Sequence, residues 1–514
     1  MKNNQLKAGA MLSLLTFGAA NVLGLLYTPY MLRMMGQEEY GLYSLVASVV
    51  SYLTMLDFGF GNAIVRYTNL YNASGRYDEL PCLYGLFTRL YGLIGIVALF
   101  LGVMLFLNIE NLFGRTMTTE ELFKMRVMMG LLIFNVVFTF SLSVWKNIPV
   151  AFERFVFSKS INLFRMLLNP LVMVVLLYYG YKAIALVVVT TIFNILTLLS
   201  DVWYSKRKLH VTIRFGKIDK VLVREITFYS FWIFLGVIVE RIYWSGGQFI
   251  LGMTSGSAMV AVYAISVQLA YVYMGLGSFL WGIMLPKVTT LVAEKNDKAI
   301  SDMFVKLGRL QYILMLFVLV GFIVFGKSFI LLWAGEKYEN AYVITCLFFA
   351  ALLIPYSQNL GQVIAQAKNQ VRLYAVIRLV TSVLGLVLSY FLAEKYSDIG
   401  CAVGVFVALL IQTLAINVFY RYKLELNVSS FVLEIIKSSL TMVCCLCVGL
   451  IAQKYIEINN WIELAFFVGS WGFLVICLNW ILVLNSGEKI FIVTTQHPMG
   501  ISNRLTVVLQ QELH

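Results

Sequence analysis

The side chains best suited to chemistry in this sequence are polar groups embedded in apolar surroundings. Arg241, Ser245 and Gln248 stand at i, i+4 and i+7, which is one face of a helix, and Glu240 lies beside Arg241. A guanidinium flanked by a hydroxyl and an amide can hold an oxyanion by charge-assisted, bidentate hydrogen bonds. Asn21, Gly24 and Thr28 form a second stripe of the same kind near the start of the chain. Asp57 and Arg66, nine residues apart, share a helical face if the helix between them is continuous. Of the acids, Glu240 and Asp57 are the candidates for ion coupling or for a charge partner to an arginine. Proton transfer through a buried imidazole is not expected, because His210, His497 and His514 lie outside the apolar runs. Neither is a metal: the cysteines at 444, 445 and 447 have no histidine or carboxylate near them in sequence, and helix packing suffices to explain them. The string Gly321 to Ser328 matches the phosphate-loop pattern formally. Its intervening residues are Phe, Ile, Val and Phe without strand-to-helix context, so it is read as part of a span.

These residues must be positioned by membrane helices. Of 514 residues 60% are apolar and 13% charged, half the charged share of a soluble domain. Apolar runs such as 90–107 persist for helix-spanning lengths instead of alternating, which excludes a β-barrel. The expected fold is therefore an all-α polytopic membrane protein with about fourteen spans. The second is expected at 41–65, the seventh at 226–251 and the eleventh at 373–393. The opening apolar run, reaching about residue 32, is too long for a cleaved leader and is read as the first span. A net charge of +13 here concerns sidedness, not nucleic acid. Lys and Arg on one set of loops outnumber those on the other about three to one, which puts both termini in the cytoplasm.

A weak internal repeat organises the spans. An offset of 220 places Gly36 on Gly256, Tyr43 on Tyr263 and Arg89 on Arg309; after a seven-residue slip, Arg165 falls on Arg378. The same offset sends Arg241 to Asn21 and Gln248 to Thr28, so the two polar stripes are repeat mates. Six spans per unit give two pseudo-symmetric lobes of the same orientation. We delimit an N-lobe at 1–208, a basic cytoplasmic linker at 209–225 and a C-lobe at 226–421. Two extra C-terminal helices follow at 422–485, then a cytoplasmic tail at 486–514. The candidate cavity residues are Arg241, Gln248, Ser245, Asn21, Thr28 and Arg66. Arg89, Arg165, Arg309 and Arg378 are read as interface anchors, and Pro29, Pro170, Pro286 and Pro355 with Gly246-Gly247 as candidate hinges.

At this point the chain resembles a family. The segments Met35-Gly-Gln-Glu-Glu-Tyr-Gly-Leu-Tyr-Ser-Leu45 and Leu56-Asp-Phe-Gly-Phe-Gly-Asn-Ala-Ile-Val-Arg66 carry the likeness. Phe249 to Gly252, Val262 to Ile265, Leu285-Pro-Lys287 and Leu332 to Tyr338 support it. They are similar to the lipid-linked oligosaccharide flippases, the polysaccharide-transporter branch of the multidrug/oligosaccharidyl-lipid/polysaccharide exporter superfamily. The resemblance implies two six-helix lobes around a central cavity that opens alternately inward and outward. It implies a substrate of undecaprenyl diphosphate bearing a repeat-unit glycan such as an O-antigen unit, flipped to the periplasmic leaflet of a bacterial inner membrane. Membrane lipid would be a further partner, and a polysaccharide polymerase and glycosyltransferases would work alongside; nucleic acid would not. No cofactor is called for beyond coupling to a monovalent cation or to the membrane potential.

The alternatives are a cation-coupled multidrug exporter of the same superfamily, for which Glu240 could serve as coupling carboxylate, and a membrane-embedded glycan polymerase or ligase. The loops weigh against the enzyme, since none is long enough for a folded catalytic domain. The charge bias makes a topological prediction. An alkaline phosphatase fused at Ser486 should be inactive, as befits a cytoplasmic tail, and strong phosphatase activity there would rule out the fourteen-span arrangement.

Overall fold

The computed structural model describes residues 2–216, 220–278, 281–455 and 457–483. The tail expected at 486–514 lies outside the described residues. Helix α1 (Lys2–Met35) leads into α2 (Gln37–Thr54), a 3-10 turn at Met55–Asp57 and α3 (Phe60–Ala73). Next come α4 (Leu80–Leu107), short α5 (Ile109–Phe113), α6 (Thr119–Ala151), α7 (Phe155–Tyr178) and α8 (Ala183–Arg207). Then follow α9 (Lys220–Thr254), α10 (Ser257–Ser278), α11 (Trp281–Ala293), α12 (Asp297–Trp333), α13 (Asn340–Ser357) and α14 (Asn359–Ala367). The last are α15 (Val371–Lys423), α16 (Val428–Gln453) and α17 (Trp461–Leu482). No strand occurs among the described residues.

Among the described residues, twelve helical stretches are long and apolar enough to cross a membrane. One of them, α15, has 53 residues, about 80 Å at 1.5 Å per residue and more than twice a hydrocarbon core. It is two spans joined at Ser397, whose left-handed φ of 52° breaks the helix. Counting both halves and the 34-residue α1 gives the expected fourteen.

The internal repeat is visible in the backbone. Gly36, between α1 and α2, has φ 83°, and its repeat mate Gly256, between α9 and α10, has φ 87°. Both tight connections need a conformation that glycine adopts without strain. The Gly321 to Ser328 string lies within unbroken α12, so its N–H groups are spent on helix hydrogen bonds and cannot cradle phosphate.

The helices form two compact units. The first comprises the chain up to Val272 together with Glu336–Phe348 and Val371–Ala415. In it α1 packs on α7, α6 on α4 and α8, and α2 on α6 and α9. The second comprises Tyr273–Gly335, Phe349–Gln370 and the chain from Ile416. Here α12 packs on α16 and α17, the two helices added after the repeat. Arg309 of α12 makes this attachment. It is 7% exposed, its Nη1 lies 3.1 Å from Glu434 Oε2 of α16, and its Nη2 donates to the carbonyl of Val483 at 2.6 Å. Arg309 is therefore not an interface anchor reaching for lipid headgroups but a buried tie. Arg309→Leu should lower stability by about 2 to 3 kcal/mol by leaving Glu434 only the exposed Lys437 as a partner, and the double change Arg309→Leu with Glu434→Leu should recover most of it. Thermal unfolding in detergent measures both.

Candidate functional site

Helix α9 runs unbroken through the site, and its rotation is set by a seam with α15. Glu240, Tyr243 and Gly246 follow one another at i, i+3 and i+6. Glu240 Oε1 accepts from Arg378 Nη2 at 2.9 Å, and the Tyr243 hydroxyl donates to Gln412 Oε1 at 3.0 Å. Gly246 leaves room for Leu386, whose Cδ1 would lie 2.6 Å from an added Cβ, and Gly247 does the same for the Tyr263 ring. The glycine pair thus serves close packing within a continuous helix, not a hinge. With the seam held against α15, the residues about 100° further round α9 turn the other way.

There Arg241, Trp244, Ser245 and Gln248 line a cavity of about 380 Å³. Helix α1 contributes Ala20, Asn21 and Gly24; α2 contributes Tyr40, Tyr43, Ser44, Ser48 and Ser51; α10 contributes Gln268 and Tyr271. Ser51 Oγ donates to Ser245 Oγ at 2.9 Å, tying α2 to α9. Gln268 Nε2 donates to Thr28 Oγ1 at 2.9 Å, tying α10 to α1. Trp244 is braced edge-on by Phe348 at 5.6 Å, which leaves its ring beside Tyr271. Arg241 is the charged residue of this lining, and its guanidinium makes no ion pair among the described residues. The wall offers one planar cation, several neutral hydrogen-bonding groups and aromatic faces. Such a surface can hold an oxyanion and pack a sugar ring.

Four of the candidates read from the sequence, Arg241, Ser245, Gln248 and Asn21, meet in this wall. Thr28 is 3% exposed and acts behind it by holding Gln268. Glu240 is turned away from Arg241 and paired with Arg378, so neither is a lone group. Asp57 and Arg66 do not share a helical face. Phe58 and Gly59 adopt left-handed φ of 52° and 70° and end the helix between them. Asp57 accepts a hydrogen bond from the Tyr91 hydroxyl at 2.8 Å, while Arg66 is exposed on α3. Sequence reasoning missed Trp244, Ser51 and Gln268. Gln268, a glutamine within an apolar span, carried the signal that could have found it.

Comparison with known proteins adds three kinds of finding. A family model described as polysaccharide biosynthesis protein matches residues 6–287. Among curated proteins, none shows a significant match to the sequence. Solved structures match over most of the chain. The lipid II flippase MurJ in an inward-closed conformation is similar at 15% identity with a TM-score of 0.72, covering 91% of this chain and 97% of that one. An inward-facing multidrug resistance MATE family transporter of the MOP superfamily matches at 12% identity and a TM-score of 0.64, covering 83% and 98%. A eukaryotic MATE transporter matches at 14% identity and a TM-score of 0.53, covering 82% and 96%. At such identities the likeness is one of fold.

The seam supplies its own test. Glu240→Ala should cost about 1 kcal/mol, because the Glu240 side chain is 44% exposed and the pair is partly screened. Adding Arg378→Ala should recover that loss, whereas adding Arg241→Ala should not. The reverse pattern in thermal unfolding would reassign the partner of Glu240.

Proposed function

Because the chain belongs to the polysaccharide biosynthesis protein family and has the fold of the MOP exporters, we propose that it is an alternating-access flippase of lipid-linked oligosaccharide. Its substrate on this reading is undecaprenyl diphosphate carrying a repeat-unit glycan. The movement runs from the cytoplasmic to the periplasmic leaflet of a bacterial inner membrane, with both termini cytoplasmic. The observation that carries the proposal is the unneutralised guanidinium of Arg241 in a polar cavity of a membrane-spanning helix bundle. A charge at that depth is costly unless an anion recurrently joins it, and a diphosphate headgroup is such an anion. The planar fork of Arg241 would hold the diphosphate, Ser245, Gln248 and Asn21 would take its remaining oxygens, and Tyr271, backed by the buried Trp244, would pack the first sugar. The prenyl chain would stay in lipid.

The multidrug-exporter reading asks for a free carboxylate in the cavity. The wall described above contains none, and Glu240 is occupied by Arg378. This supports the flippase over the exporter. No covalent step is needed for flipping, so the protein acts as a transporter and not an enzyme. Coupling to a monovalent cation or to the membrane potential would supply direction, and glycosyltransferases and a polymerase would make and consume the cargo.

Deleting the gene should cause one lipid-linked saccharide to accumulate on the cytoplasmic leaflet. In cells or proteoliposomes, Arg241→Lys should keep part of the flipping activity by retaining charge without the fork. Arg241→Ala should lower it by at least about tenfold while the protein inserts normally. Full transport by a well-expressed Arg241→Ala protein would remove this residue from the site.

A further inference from the structure

Arg165 poses a problem that Arg378, its repeat mate, does not. It stands ten residues into α7, and its guanidinium is held by a protein amide instead of taking the headgroup-anchoring role suggested by the sequence. Its Nη1 donates to Asn194 Oδ1 of α8 at 3.0 Å. The Asn194 amide nitrogen in turn donates to Asn135 Oδ1 and Thr139 Oγ1 of α6, both at 2.7 Å. This chain of amides fixes the orientation of the guanidinium without neutralising it. No carboxylate joins Arg165 among the described residues, whereas Arg378 is paired with Glu240 at 2.9 Å.

The repeat explains the difference and locates what is missing. An offset of 220 sends Glu240 to Ala20, so the half of the chain that holds Arg165 carries a methyl group where the other half carries the neutralising acid. Helices α1 and α7 pack together, and they correspond by span order to α9 and α15. Ala20 itself lies in the wall of the polar cavity. Depth agrees with this placement. The Tyr30 hydroxyl donates to the carbonyl of Val174, and α1 and α7, as first and fifth spans, run in the same direction. Nine residues back along each helix, about 14 Å, stand Asn21 of the cavity wall and Arg165. One turn from Asn194, Thr190 lies beside Tyr43 of the same wall.

We propose that Arg165 is a second oxyanion subsite at the flank of the polar cavity, receiving an anionic group of the cargo through the space beside Ala20. This rests on the flippase reading above and narrows it: the cargo carries two separated anionic groups, one for Arg241 and one for Arg165. Nη1 is engaged by Asn194, and Nη2 and Nε remain to grip an oxyanion side-on. Two sources share the required chemistry, the second phosphate of the lipid diphosphate and the carboxylate of an acidic sugar.

The test uses the full chain in nanodiscs and two probes, farnesyl diphosphate and farnesyl-diphosphate-linked glucuronic acid, with binding followed by tryptophan fluorescence. Arg165→Gln removes the charge, and Asn194→Asp neutralises it from behind the cavity with a side chain of the same shape. Each should weaken binding by about tenfold to a hundredfold, and the double variant should be no weaker than either. Weakening of both probes assigns the second phosphate; weakening of the glucuronyl probe alone assigns the sugar carboxylate. Unchanged affinity for both probes in folded Arg165→Gln and Asn194→Asp proteins overturns the subsite and leaves Arg241 untouched. Unchanged affinity in Arg241→Ala overturns the flippase site instead. A wild-type protein that binds neither probe overturns both.

Discussion

An ionised group at membrane depth must be given a counter-charge, a set of hydrogen bonds or a wet cavity, and the arrangement of this protein's helices follows from how its arginines meet that demand. Arg309 is buried against Glu434 and so attaches the last two helices to α12. Arg378 takes Glu240 and so docks α9 on α15. Arg241 takes no acid and opens onto a polar cavity. The same side chain therefore acts as tie, seam or cavity lining according to whether a carboxylate stands within reach.

The seam and the cavity are two faces of one decision. Glu240 and Arg241 are neighbours in sequence, so they project about 100° apart around α9. Once Glu240, Tyr243 and Gly246 are held by Arg378, Gln412 and Leu386, Arg241, Ser245 and Gln248 have nowhere to face but the cavity. A small rotation of α9 would break the ion pair and bury the free guanidinium among apolar side chains. Packing on one side of the helix thus enforces chemistry on the other.

What was legible in the sequence was whatever depends on helical period and hydropathy. The fourteen spans could be read because apolar length fixes them, and the Arg241, Ser245, Gln248 stripe because 3.6 residues make a turn. Pairing was not legible, since it depends on which helices come to lie side by side. Arg241 was the obvious neighbour for Glu240, yet a side chain 138 positions away holds it. Nor did hydropathy betray the break at Phe58 and Gly59 that separates Asp57 from Arg66, because two left-handed residues can interrupt an apolar run without changing its composition. Arg309 looked like an anchor for the same reason: a sequence shows where a charge sits along its helix, not what covers it.

The repeat shows which features duplication preserves and which it releases. Gly36 and Gly256 keep one backbone conformation because any side chain there would strain both connections. The cavity positions carry no such constraint, and there the two halves have diverged: Arg241 answers to Asn21, Gln248 to Thr28 and Glu240 to Ala20. Divergence at these positions has a physical advantage. Two guanidiniums at Arg241 and its mate would face each other across one small cavity of low dielectric, where like charges repel strongly. An arginine opposite an asparagine avoids that repulsion within the lining, to which Arg165 does not belong. A symmetric scaffold thereby encloses an asymmetric cavity wall.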